Sequence, residues 1–251
     1  MTTKTKWLIA GGVIVAAGVL AVGVVVVGWN VLEEVPAANL LLPVYTLEQV
    51  DSAHQWYRRT TVKLGSAEYV QDYEDYGLEL WNPEPTSGIG RPSFGNSLMC
   101  SIPGQSPSNY VAVDCGSEMS AYEVFRNVNQ PVFDWRHAKY QSMEFTGFRV
   151  GMNLKRTTDA ALMAEVVRTL SEGTPTAEEF PLAEMRSNVC SVCFFTDALP
   201  GIKFCPQVYR DESGAVYLAE SMGMEPLTRG MRYHARWIPA GALFAEWVKT
   251  P

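Results

Sequence analysis

The sequence predicts an α+β protein, mainly antiparallel sheet with a few helices, preceded by one N-terminal transmembrane helix. Three observations carry this reading. Residues 7–32 hold no charged side chain. Residues 189–218 read as short apolar runs separated by turns. Residues 158–172 carry the clearest amphipathic helical spacing in the chain.

The uncharged run comes first. Twenty-one helical residues rise about 31 Å, close to the roughly 30 Å hydrocarbon core of a bilayer. A helix satisfies its own backbone in lipid, which makes the Val and Gly content tolerable. Trp7 and Trp29 stand at the two ends, where indoles favour the interface. Lys4 and Lys6 precede the run; Glu33 and Glu34 follow it. The positive-inside rule then puts residues 1–6 in the cytoplasm and everything after about residue 33 outside. A cleaved signal peptide is the rival reading. Its apolar region would be shorter, and Val26 to Gly28 makes a poor cleavage site. The bilayer, through residues 7–32, is thus the first expected partner, and the expected address is a cell membrane.

The chain has 251 residues and a formal net charge of −7. Without Lys4 and Lys6, 18 basic and 27 acidic residues remain, so the outer part carries −9. Such a domain is not drawn to anionic headgroups or to nucleic acid.

Residues 33–45 read as a tether whose apolar end, Leu40 to Tyr45, packs on the domain that fills residues 46–251. Thr46 looks like an N-cap with Gln49 at the capping-box position. Leu47, Val50, His54 and Tyr57 follow helical spacing, which predicts a helix to about Arg59. Residues 60–64 are β-like. Residues 68–84 hold Glu68, Asp72, Glu74, Asp75, Glu79 and Glu84 with no basic residue. They echo a calcium loop only faintly and read as a solvated acidic face backed by aromatics.

Residues 82–109 contain five Pro, four Gly and six Ser. Such a stretch should sustain neither long helices nor central strands. Residues 88–95 lack the Lys-Ser/Thr ending of a phosphate loop. Residues 110–115 form a strand, residues 120–126 a second ordered piece, and residues 141–150 are β-like. Between them, Asp134, Arg136 and His137 invite an active-site reading. The plainer one is an Asp–Arg pair and a surface His beside a packed Trp135. Asp159 and the threonines before it cap the helix that ends at Glu172 and Gly173. Residues 189–195, 202–209 and 215–218 predict an antiparallel meander. Residues 242–248 form a short final helix.

Five cysteines follow the uncharged run: Cys100, Cys115, Cys190, Cys193 and Cys205. Cys190 and Cys193 have Cys-x-x-Cys spacing. A redox motif of that kind needs its first thiol at a helix N-terminus, and these lie in a predicted strand. Zinc would want a second pair or close histidines, yet only Cys205 follows, with His234 further on. No cofactor-binding or metal-ligating set is therefore expected. Cys193 and Cys205 stand on the two arms of one hairpin and are the disulfide candidates; Cys100 and Cys115 flank a turn-rich segment and form another conceivable pair.

There is no Gly-x-Ser-x-Gly, and nothing links one of the three histidines to a Ser and an Asp. Arg229, Arg232, His234 and Arg236 form the one basic island. It suits an anion or an acidic partner, or else pairs with the acids of residues 68–84. These readings converge on a noncatalytic domain that binds a protein partner or supports an envelope assembly. The alternative is an envelope enzyme, either a thiol-redox protein using Cys190 and Cys193 or a hydrolase.

Overall fold

The computed structural model describes residues 41–51, 58–71, 75, 77–81, 87–92, 97–114, 122–147, 154–176, 189–220, 222–227 and 230–249; for residues 50, 51, 58, 222–227 and 230–234 only the backbone is described. The expected membrane span lies outside the described residues, among which no helix is long and apolar enough to cross a membrane.

The described chain is mostly antiparallel sheet with two helices. The first sheet contains β1 (Tyr45–Asp51), β2 (Arg58–Leu64), β3 (Ala67–Gln71), β5 (Ser87–Gly90), β6 (Met99–Ser101), β7 (Tyr110–Asp114) and β8 (Tyr122–Asn127), in the order β1-β2-β3-β8-β7-β6-β5. Its edges meet. Val44 and Arg91 form a parallel bridge, with the Tyr45 N–H donating to the Arg91 carbonyl at 2.8 Å and the Arg91 N–H to the Pro43 carbonyl at 3.0 Å. The sheet therefore curls on itself, with the chain just before β1 bonded to the chain just after β5. Tyr45, Val62, Tyr69, Met99, Val111, Val113 and Phe125 pack together inside the curl.

Two expectations are corrected in this half. Residues 45–51 are a strand, not the start of a helix. The chain pairs Tyr45 with Leu64 and Glu48 with Thr61, so the β-branched Thr60, Thr61 and Val62 dictate the conformation of their partner. Local helical spacing yields to this nonlocal pairing; His54 and Tyr57 lie outside the described residues. The turn-rich stretch also supplies strands, and β6 is an inner one, flanked by β5 and β7. It is short enough, at three residues, to fit between the prolines.

The second sheet is built on β9 (Ser142–Phe145), β10 (Lys155–Thr157), β11 (Val189–Phe195), β12 (Ile202–Phe204), β13 (Gln207–Arg210), β14 (Val216–Ala219) and β17 (Ile238–Pro239), with β4 (Leu78–Leu80) added beside β12. The expected meander is present, but its second strand is split. Pairings Val189↔Tyr209, Ser191↔Gln207 and Phe194↔Phe204 keep one register through the split. Cys205 and Pro206 fall between the two halves. Pro206 has no N–H to donate, a reason for a ladder to break. Beyond the break β12 pairs with β4, while β13 pairs with β14. A hairpin of β15 (Met222–Leu227) and β16 (Gly230–Ala235) forms a separate two-stranded sheet.

Helix α1 (Ala160–Glu172) presents Leu162, Met163, Val166 and Leu170 to the core. Asp159 caps it, its Oδ1 accepting from the Ala161 and Leu162 N–H groups at 2.9 and 3.3 Å. Gly173 ends the helix with φ −68°, so a left-handed turn is not what requires glycine. The requirement is space: a Cβ would run into Ile238 and the Thr169 carbonyl. Helix α2 (Ala242–Lys249) takes its N-terminal cap from α1, where Glu165 Oε1 accepts the Phe244 N–H at 2.9 Å.

The two sheets share the main core. Cys100, Ile102, Tyr110, Ala112 and Val124, on the outside of the curled sheet, pack with Leu78, Leu80, Met143, Phe194, Ile202 and Phe204 and with both helices. Strand β7 is buried on both faces, which explains its unbroken Tyr-Val-Ala-Val run. Across this seam lies a buried ion pair. Arg126 Nε and Nη2 donate to the two Asp75 carboxylate oxygens at 2.6 and 3.0 Å, and Nη1 donates to the Gln130 carbonyl at 2.7 Å. Asp75 is thus no member of a solvated acidic face; it is 1% exposed. Glu68 and Glu79 do sit toward solvent, paired with Lys63 and Lys203.

Candidate functional site

The face of the second sheet turned away from the core carries the chemistry. Because side chains alternate along a strand, one register decides who stands there. Cys193 pairs with Glu144, Glu144 with Arg156, Phe195 with Ser142 and Lys203, and Lys203 with Glu79. The intervening Val192, Phe194, Ile202 and Phe204 point into the core.

Cys193 and Cys205 are bonded as a disulfide, with Cα atoms 4.2 Å apart. The sheet accounts for this spacing. The Val192 N–H donates to the Pro206 carbonyl, so the next rung is a non-hydrogen-bonded pair, where Cα atoms approach to about 4.5 Å. Both cysteines are buried, and Phe195 packs with them. Trp81 lies against Phe195 at 5.0 Å between ring centroids, yet its side of the residue facing solvent leaves it 51% exposed. The Arg156 guanidinium stands 5.6 Å from the Phe195 ring centre, pairs with Glu144 at 3.4 Å and donates to Ser142 Oγ at 3.1 Å. Lys203 Nζ meets Glu79 Oε2 at 3.3 Å. A Glu79 carboxylate oxygen and the two sulfurs lie within 4.8 Å of one another, a set of donor types able to hold a metal ion. Glu79 could not be read as part of this group from the sequence. It is far from both cysteines along the chain, and only the β4–β12 pairing brings it there.

The other singled-out residues do not join this face. Cys190 is not bonded to Cys193. It is a free thiol in β11, its Sγ directed to the Val208 carbonyl at 3.8 Å, and burial pushes its pKa up to about 12. A thiolate nucleophile needs the opposite shift. Cys100 is also free and buried; burial first, then Asp114, raises it to about 11. Cys115 lies outside the described residues.

Asp134 pairs with His137, not with Arg136. His137 Nδ1 and Asp134 Oδ2 are 2.7 Å apart on an exposed turn, and this hydrogen bond, ahead of all other causes, holds the carboxyl below its ordinary range. Arg136 instead lies over the Trp135 ring at 4.2 Å and pairs with Glu220 at 3.5 Å. Trp135 is packed, its Nε1 donating to Glu220 Oε1 at 3.0 Å and its ring stacked on Phe204. The indole thus recruits the arginine that sequence adjacency would assign to Asp134. His137 is given no serine, threonine or cysteine partner among the described residues.

Of the basic island, Arg236 is exposed, and Arg232 and His234 stand on β16 opposite Glu225 and Gly223. Arg229 and the side chains of Arg232 and His234 lie outside what is described; among the described acids of residues 68–84, Glu68, Asp75 and Glu79 pair with Lys63, Arg126 and Lys203 rather than with Arg236.

No family model, no curated protein and no solved structure matches the chain.

Proposed function

We propose that the protein is a single-pass membrane protein with its N-terminus in the cytoplasm and an extracytoplasmic domain that binds a protein partner or supports an envelope assembly, without catalysis. The observation that carries this reading is the Cys193–Cys205 bridge. Disulfides persist in oxidising compartments. The charges flanking residues 7–32 favour that same side. The binding role draws support from Trp81, a half-exposed indole on a face of paired charges, since aromatic anchors recur at the centres of protein interfaces.

The test has two arms. Carbonate washing should leave the full chain in the membrane fraction, and protease added to intact cells should degrade the domain. A photo-crosslinking residue at position 81 should then capture a discrete partner that the same residue at position 249 does not. Release by carbonate or protection from external protease overturns the membrane assignment. Equal capture from both positions overturns the binding face.

A further inference from the structure

We propose that Glu79, Cys193 and Cys205 become a binding site for a thiophilic divalent cation of the zinc class when the bridge is reduced. The geometry is set by the backbone. The two cysteines occupy directly opposed positions of one antiparallel rung, and Glu79 joins them through the neighbouring strand. All three donor atoms already lie within 4.8 Å of one another. Two zinc–sulfur bonds of about 2.3 Å at a tetrahedral angle hold sulfurs about 3.8 Å apart. The Cα atoms, 4.2 Å apart, already stand at about that spacing, so the proposal asks for side-chain rotation and no strand movement.

The donor set matches the class of ion. Two thiolates select soft and borderline transition-metal cations such as zinc over calcium or magnesium, and one carboxylate completes three protein ligands. Such a site keeps a fourth position for water. Glu79 has 47% of its side chain exposed while the cysteines are buried, so the ion enters from the glutamate side. Lys203 engages Glu79 Oε2, which leaves Oε1 for the ion and orients the carboxylate.

The chemistry balances with a dithiol reductant. Its two thiols give two electrons and two protons to the S–S bond, which becomes the Cys193 and Cys205 thiols while the reductant becomes a disulfide. Binding the cation then releases the two thiol protons. The site and the bridge are mutually exclusive, so the same pair either staples the sheet or holds the ion.

The full-length protein, purified in detergent, provides the test, with Co2+ as probe because thiolate ligation gives it a charge-transfer band. Reduced protein, freed of reductant, should take up one Co2+ with that band, and Zn2+ should displace it. Oxidised protein should show neither. Glu79→Gln should weaken uptake at least about tenfold, the scale on which even supporting residues of metal sites act. Cys190→Ala should leave the band unchanged. Absence of the band in reduced wild-type protein, an unchanged affinity in E79Q, or loss of the band in C190A each overturns the proposal. So does a reduced protein that loses its β-sheet circular dichroism and does not regain it with Zn2+. The inference rests on the bridge and not on the membrane reading, so carbonate or protease results bear on one and metal uptake on the other.

Discussion

The two sheets are held in different ways. The curled sheet closes its own edges through Val44 and Arg91, fills its interior with Tyr45, Val62, Tyr69, Phe125 and their neighbours, and is locked to the rest by the buried Asp75–Arg126 pair. Among the described residues the second sheet stays open, branches where Pro206 interrupts a strand, and is fastened by a covalent bridge on one face and two helices over the core. Closure satisfies backbone groups with other backbone groups and needs few special side chains. An open, branching sheet leaves a weak rung, and there the chain places its disulfide.

The sharpest way to break this contrast is Asp75→Ala. It leaves Arg126 buried without its carboxylate, and the loss of a single partner in such a pair costs about 3–5 kcal/mol. Chemical denaturation should show it; a loss below about 1 kcal/mol would mean that the curled sheet is held by packing alone. Replacing both Cys193 and Cys205 by alanine comes next. The bridge closes a segment of sequence separation 12, for which constraint of the unfolded chain is worth about 3 kcal/mol. An unchanged denaturation midpoint would remove the weak-rung argument. Glu165→Ala, which strips the cap from α2 without touching either sheet, should cost only about 1 kcal/mol.

Near neutral pH the smallest effect belongs to the buried thiols. Both Cys100 and Cys190 titrate above their ordinary value of 9.0, at about 11 and about 12. The unfolded chain gives up these protons first, so the contribution is whole below about pH 9 and is lost as pH rises toward 11 and 12. Denaturation midpoints measured from pH 7 to 11 should stay flat and then fall. A Cys100→Ala, Cys190→Ala double variant should fall less steeply, and identical slopes would refute the assignment.

How much of this was legible in the sequence follows from what periodicity reports. Strand β7, the apolar run of β11 and helix α1 with its Asp159 cap could all be read locally, because run length, β-branched content, flanking turns and the cap are signals carried within a few residues. The segment at residues 45–51 could not, since its helical spacing competes with a partner strand that only the fold supplies. Asp75 looked like one acid among many; its burial depends on Arg126, fifty-one residues away in the chain.

The sequence by itself determined the antiparallel character of the chain, the capped helix, the short final helix and the charge asymmetry around residues 7–32. Tertiary structure alone decided that the first sheet closes, that Asp134 meets His137 while Arg136 goes to Trp135 and Glu220, and that Glu79 stands beside the Cys193–Cys205 bridge. The physical reason is one of range. Propensity and alternation act over a few residues, whereas strand order and register are chosen by which distant surfaces can be buried together, and a functional face is a product of that choice.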